Sequence, residues 1–417
     1  MANVTACPPD WTRSSATSAR ESHRIVTIDE VEALRHRLEA GPTQALTTRD
    51  SNAERDWKAI RLQLGRFGIT RVGDITGLDR IGVPVVQAVR PAAKSNIVNQ
   101  GKGLTMAQAA LSAVMEGLET WAAERLPRQA QRRATAAELI EPAVSEALKT
   151  IVLSDSIDGW QHRPFDWVPG WDLVNRRVTW MPAAIVATDY TLSSPYRSAP
   201  FLRTTTGLGA GLSAWAAVQQ GVAEIVERDA TAKALEIHGF FDRYRLDTAS
   251  IKRQSLVDLV AKVRAAGLLI GFWTCPAPDS WAVVWARALE AADQPDQLPL
   301  PADGYGASPN IEVAAEKALL EAVQTRASVI AGSREDITRT AYPRFPNRHL
   351  IEADRRMILA DAGAPFEPEG SNEPCLDLGV LGDGSKRPVI VVPLLAETDP
   401  GIFVVRVVLP GMRVAAE

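Results

Sequence analysis

Cysteine is scarce. The chain holds three, Cys7, Cys275 and Cys375, far apart and odd in number. That speaks against a disulfide scaffold, and no C-x-x-C pair exists for zinc or redox chemistry. The five histidines, His23, His36, His162, His238 and His349, are scattered. No H-x-x-x-H or H-E-x-x-H spacing occurs, which excludes a helix-borne zinc site. Long apolar runs are missing too. Stretches such as Gly267–Phe272 and Val389–Leu395 are strand-sized, far short of the ~20 residues that span a bilayer. Met1 to Glu21 is rich in Ser, Thr and Arg and has no apolar core. It reads as a short disordered tail rather than a secretory signal, and the chain reads as cytoplasmic, with no membrane partner.

An excess of positive charge is also absent. Lys and Arg number 46 against 50 Asp and Glu, a net charge of −4. Nucleic-acid-binding domains are usually strongly basic, so that class is disfavoured. No G-x-x-x-x-G-K-[ST] occurs, and Gly207-x-Gly209-x-Gly211 misses the dinucleotide spacing. What is present is ordinary globular material. The 417 residues are 46% apolar and 23% charged, enough for a sizeable core.

Periodicity predicts amphipathic helices over Ile28–Leu38 and Trp57–Phe67. Longer helices are predicted over Thr105–Arg125, with Thr105 as cap, over Ser213–Leu235 and over Glu312–Ile330. Strand patterns cover Trp167–Thr179, with a turn near Asn175, then Met181–Thr188, Leu268–Trp273, Ser280–Arg287, Val389–Leu395 and Ile402–Leu409. The alternation predicts an α+β (mixed α/β) unit over 46–417, preceded by a partly disordered extension over 1–45.

One pattern recurs three times. Gly101-Lys-Gly103 runs into a helix carrying Glu116 and Glu119. Gly207-Leu-Gly209-Ala-Gly211 runs into one carrying Glu224 and Glu227, and Gly304-Tyr-Gly306 into one carrying Glu321 and Gln324. Each polar pair is spaced i, i+3 and so shares a helix face. The glycines read as turns offering N–H groups to an anion. The flanking residues Val114, Leu118, Val222 and Val226 pattern these helices as buried, where unpaired carboxylates are costly. Pairing with arginine is one solution. Clustering around Mg²⁺, which shares its coordination with phosphates, is another. Arg228 and Arg326 follow the pairs and suit phosphate oxygens. For any single helix a solvated Glu face is the commoner explanation; the threefold recurrence makes coincidence less comfortable but does not by itself identify a nucleotide.

These motifs resemble the YcaO family, most closely the branch found beside TfuA proteins. The matching segments are GITRVGDITGLDRIGVPVVQAVRP (Gly68–Pro91), QGKGLTMAQAALSAVMEGLETWAAE (Gln100–Glu124), GVAEIVERDA (Gly221–Ala230) and Gly306–Asp336. The resemblance runs from about Arg49 to the last strands. It implies a YcaO-type fold, with β-sheets packed against three long helices around a nucleotide site. It implies an enzyme dependent on ATP and Mg²⁺ that phosphorylates a peptide backbone amide. A neighbouring side chain then closes an azoline, or a sulfide donor gives a thioamide. The implied metal ligands are Glu116, Glu119, Glu224 and Glu227. The implied nucleotide-site residues are Arg49, Ser112, Arg228, Gln324 and Arg326. No catalytic residue is implied. The implied partners are a peptide or protein substrate and a TfuA protein, with a homodimer as the candidate assembly.

The chain departs from the family pattern at several points. Asn-Gly-Leu-Ala-Ser-Gly-Asn, with a Glu four residues on, becomes a segment with Thr206 first, Leu212 last and Ala216 at the Glu position. The Arg often found after the first pair is Thr120, and an N-terminal hydroxyl position is Asp56. The chain ends Leu409-Pro-Gly-Met-Arg-Val-Ala-Ala-Glu417, without the proline-rich tail of azoline-forming members, which counts against a stand-alone cyclodehydratase. Leu212 and Ala216 motivate an alternative, a degenerate YcaO-like scaffold that binds a peptide or partner without ATP turnover. Lys102 either touches phosphate or faces water. The tryptophans Trp121, Trp160, Trp167, Trp171, Trp180 and Trp215 are read as core packing before peptide groove. The cysteines are read as inert thiols.

Overall fold

The computed structural model describes residues 27–40, 52–126, 132–153, 158–293, 299–334, 347–360, 363–367, 387–396 and 401–413. Arg49, Cys7 and Cys375 lie outside the described residues.

Three antiparallel sheets form the frame. The first has the order β1-β2-β3, from Arg71–Asp74, Val85–Val89 and Val98–Lys102. The second has the order β4-β5-β11-β12-β7, from Arg132–Ala134, Phe165–Asp172, Ile390–Ala396, Phe403–Val408 and Leu208–Gly211, and β6 (Arg177–Pro182) adds to β5. The third has the order β10-β9-β8, from Ala302–Ser308, Ala282–Glu290 and Leu268–Cys275.

Helix α1 is Ile28–Glu39, and its buried Val31, Leu34 and Leu38 join the core formed with the second and third sheets. Helix α2 is Ala53–Ile60 and tightens into a 3₁₀ segment, Arg61–Phe67, which Gly68 ends at φ 68°. Helix α3 (Met106–Ala123) starts at a capping box in which Thr105 and Gln108 serve each other's backbone. Helix α4 is Ala214–Leu235, capped by Ser213. Helix α5 is Gln254–Ala265, α6 is Ile311–Ala331, and α7 is Arg348–Leu359. Among the described residues no helix is long and apolar enough to cross a membrane.

The long helices and the sheets interlock as a ring. Each helix folds back on the strand before it: α3 on β3, α4 on β7, α6 on β10. Each also touches the equivalent strand of the next unit: α3 on β7, α4 on β10, α6 on β3. Most of the glycines expected in turns lie in these strands, whereas Gly207 does sit in a turn, at φ 88°. A Cβ on Gly101 would lie 2.2 Å from the Ala109 carbonyl, one on Gly209 2.0 Å from that of Ala217, and one on Gly304 2.2 Å from that of Ala318. Glycine is therefore required by helix backbone pressed on strand backbone.

One other expectation needs correction. Met181–Thr188 is not a strand: β6 ends at Pro182 and a short buried helix covers Ala183–Val186. The turn expected near Asn175 is present at 173–176, so β5 and β6 pair as a hairpin, with Arg176 at φ 51°. The late strands β11 and β12 lie inside the second sheet, almost entirely buried. Trp160 and Trp167 are fully buried, and Trp215 donates to the Leu38 carbonyl at 3.0 Å. These are packing roles.

Candidate active site

The ring brings the carboxylates of all three long helices to its inner face. Each carboxylate also caps a strand. Glu116 accepts from the N–H of Gln100 at 3.1 Å, Glu224 from Gly207 at 3.0 Å, and Glu321 from Tyr305 at 3.4 Å. Glu119 reaches across to the next unit and accepts from Ala210 N–H at 2.8 Å. Of the glycine N–H groups expected to face an anion, that of Gly207 is thus engaged by the protein's own Glu224.

These acids repel one another in half-buried surroundings. Burial, then the charges of Glu224 and Glu116, hold Glu119 well above the usual carboxylate range. Burial and the charge of Glu321 push Glu227 up to about 8, although Arg228 and Lys102 pull it partly back. Burial raises Glu116 as well, against the opposing charges of Arg334 and Lys102. Lys102 answers them: its Nζ lies 2.7 Å from Glu321. Burial works against its charge, yet Glu321, Glu227 and Glu116 together raise its pKa.

The site residues inferred from the sequence divide accordingly. Glu116, Glu119, Glu224 and Glu227 come together, with Arg228 beside Glu227. Ser112 sits one turn before Glu116 on α3, and Gln324 one turn after Glu321 on α6. Arg326 is a correction. It is 3% exposed, lies 2.9 Å from both Asp79 and Glu290, and donates to the Leu300 carbonyl at 2.6 Å. Its guanidinium is committed to buried structural partners rather than to phosphate. Sequence reasoning left Lys102 open and passed over Arg334, which lies in the matching segment Gly306–Asp336. At the departures, Leu212 packs with an apolar cluster, and Ala216 donates its N–H to the Ser213 cap. Thr120 accepts from Arg90 Nη1 at 2.6 Å, so a guanidinium reaches that position from another element. Cys275 is buried, and burial together with Glu227 pushes its thiol up to about 12, which makes it unreactive.

Among the described residues no three carboxylate, imidazole or thiol groups converge tightly enough to cage a metal alone. The donor set still fits Mg²⁺, which typically takes one or two carboxylates and completes its shell with water and phosphate. Mutually repelling glutamates supply that demand.

Residues 100–413 match the family model described as YcaO cyclodehydratase, ATP- and Mg²⁺-binding. The chain belongs to the YcaO family. ATP and Mg²⁺ are accordingly its cofactors. An uncharacterized protein in the tfuA 3′ region of Rhizobium leguminosarum bv. trifolii is 31% identical over 379 residues, covering 85% of this chain and 86% of the relative. The fold is that of YcaO from Methanopyrus kandleri bound with AMPPCP and Mg²⁺, with a TM-score of 0.62 at 23% identity over 87% of this chain and 91% of the other. It is also that of a heterocyclase in complex with substrate and cofactor, with a TM-score of 0.63 at 19% identity over 85% of this chain and 52% of that one. The mixed α/β architecture expected of a YcaO protein is the one observed.

Proposed function

We propose that this protein activates a peptide backbone amide with Mg²⁺–ATP, by phosphorylation, for thioamide or azoline formation. The observation that carries the reading is the ring of carboxylates from α3, α4 and α6, in which burial holds Glu116, Glu119 and Glu227 above their ordinary pKa and neighbouring carboxylates add to the rise at Glu119 and Glu227. Such a cluster fits a divalent cation shared with a polyphosphate. Bound ATP supplies a phosphoryl group that turns the amide oxygen into a leaving group. The chain's own residues bind and orient. Glu116, Glu119, Glu224 and Glu227 hold the metal, and Arg228 and Lys102 bring positive charge to the phosphates. Ser112 and Gln324 line the same face. Arg49 is retained as a nucleotide-site residue on family pattern alone.

The wider picture is part of the same proposal: residues 46–417 form the catalytic unit behind an N-terminal extension, in the cytoplasm. A TfuA protein as partner is supported by the relative from the tfuA 3′ region. A homodimer is the proposed assembly. A second reading, a scaffold without turnover, is favoured by the packing of Leu212 into apolar surroundings. Purified protein with a precursor peptide and TfuA should release ADP only with Mg²⁺, and Glu116→Ala should abolish this. No ADP under any of these conditions would leave the scaffold reading in place.

A further inference from the structure

Arg406 on β12 is 2% exposed. Its Nη2 donates to the Thr204 carbonyl at 2.9 Å. Its Nε and Nη1 are buried and meet no hydrogen-bond partner among the described residues. Burial pulls its pKa below the usual guanidinium range, and only Tyr190 and Glu224 oppose that. A buried charge left without a partner is one of the costliest features a fold can carry. It calls for an anion.

The surroundings give that anion a place. Arg406 lines a cavity of about 30 Å³ with Thr204, Thr206, Leu202, Ile225 and Leu409. One water needs roughly 10–15 Å³ on that scale, so the cavity, which is partly open, takes two or three oxygens of a phosphoryl group but not a nucleoside. The Thr204 hydroxyl donates to the Thr206 hydroxyl at 2.8 Å and accepts from the Thr206 N–H at 2.9 Å. That direction leaves the Thr206 proton free to donate. Glu224 lies within electrostatic reach of Arg406, and the cavity-lining Thr206 precedes Gly207, whose N–H caps Glu224.

We propose that Arg406 and Thr206 form a phosphoryl-oxyanion site beside Glu224, which takes either the terminal phosphate of the nucleotide or inorganic phosphate released from it. The link to the nucleotide rests on the function proposed above; the anion site itself does not.

The test is thermal melting of the full chain without Mg²⁺, titrated with inorganic phosphate at ionic strength matched with sodium chloride. Wild type should show a saturable rise in melting temperature. Arg406→Met should bind phosphate at least tenfold more weakly. Without phosphate it should melt no lower than wild type, because it removes an unpaired buried charge. No saturable rise in wild type, or an equal rise in Arg406→Met, overturns the site. Should Arg406→Met not fold, Thr206→Val decides: weaker phosphate binding supports the site, and unchanged binding overturns it. Mg²⁺–AMPPCP separates the two sources. If the occupant is the terminal phosphate, Arg406→Met weakens AMPPCP but not ADP; if it is free phosphate, both nucleotides bind as before. Phosphate binding without any Mg²⁺–nucleotide binding keeps the site and sinks the proposed function; the reverse sinks the site alone.

Discussion

The ammonium of Lys102 lies 2.7 Å from the carboxylate of Glu321, tying the last residue of β3 to the inner face of α6. The two are separated by 219 positions in the chain. The bridge closes the ring of three units and puts a fixed positive charge among Glu116, Glu227 and Glu321.

Lys102→Met should therefore destabilise the metal-free protein. A hydrogen bond to a charged group is worth about 1.5–3 kcal/mol, and the remaining glutamates lose their screen. Added Mg²⁺ should restore stability more in the variant than in wild type, because it supplies the missing charge. Thermal melts with and without Mg²⁺ check this. Identical melts of variant and wild type in metal-free buffer would show that Lys102 does not hold the cluster together.

Close packing of strand on helix gives a second prediction. Gly209→Ala places a methyl group 2.0 Å from the Ala217 carbonyl. Helix α4 must shift, and overpacking of this kind costs about 1–3 kcal/mol or more. Gly77→Ala meets nothing within 4 Å and should stay within about 0.5 kcal/mol of wild type. Urea midpoints at unchanged slope distinguish the two outcomes.

Arg326 gives the third. Arg326→Met removes the guanidinium that pairs with Asp79 and Glu290, which are 7% and 5% exposed at their side chains and are left with the Arg80 and Leu300 contacts. Breaking a buried ion pair from one side costs about 3–5 kcal/mol. Adding Asp79→Asn and Glu290→Gln should recover part of that loss. A variant with wild-type stability but weaker ATP binding would instead return Arg326 to the nucleotide.

The three long helices were legible because their signals are local. Thr105 with Gln108, Ser213, and runs of alanine and valine mark them without reference to any neighbour. The paired glutamates were legible for the same reason, since i, i+3 spacing is a property of one helix. Strands β3, β7 and β10 were not. Their glycines read as turns because glycine marks a turn locally, whereas here a distant backbone demands it. Arg326 was misread because its partner Asp79 is 247 positions away. Nothing within its own helix shows a carboxylate waiting for it.

The carboxylate ring makes stability depend on pH in an unusual direction. Glu227 is pushed from its ordinary 4.5 up to about 8, and Glu119 is raised as well. In the unfolded chain these groups release their protons near pH 4.5; in the folded protein they keep them longer. Between those values the folded state binds more protons than the unfolded one. Stability therefore falls as pH rises from about 5 to about 8, by at most about 1.4 kcal/mol per pH unit for each such proton. Below pH 4.5 both states are protonated, and above pH 8 Glu227 is ionised in both, so its contribution levels off. Glu227→Gln cannot ionise and should flatten part of the slope. Saturating Mg²⁺ should flatten it too, because the cation stabilises the ionised carboxylates of the folded state. Urea denaturation of metal-free protein across that range measures the slope directly. A stability that climbs steadily from pH 5 to 8 would mean that these glutamates are already charged in the folded protein, and that the cluster is more open to water than the ring of helices implies.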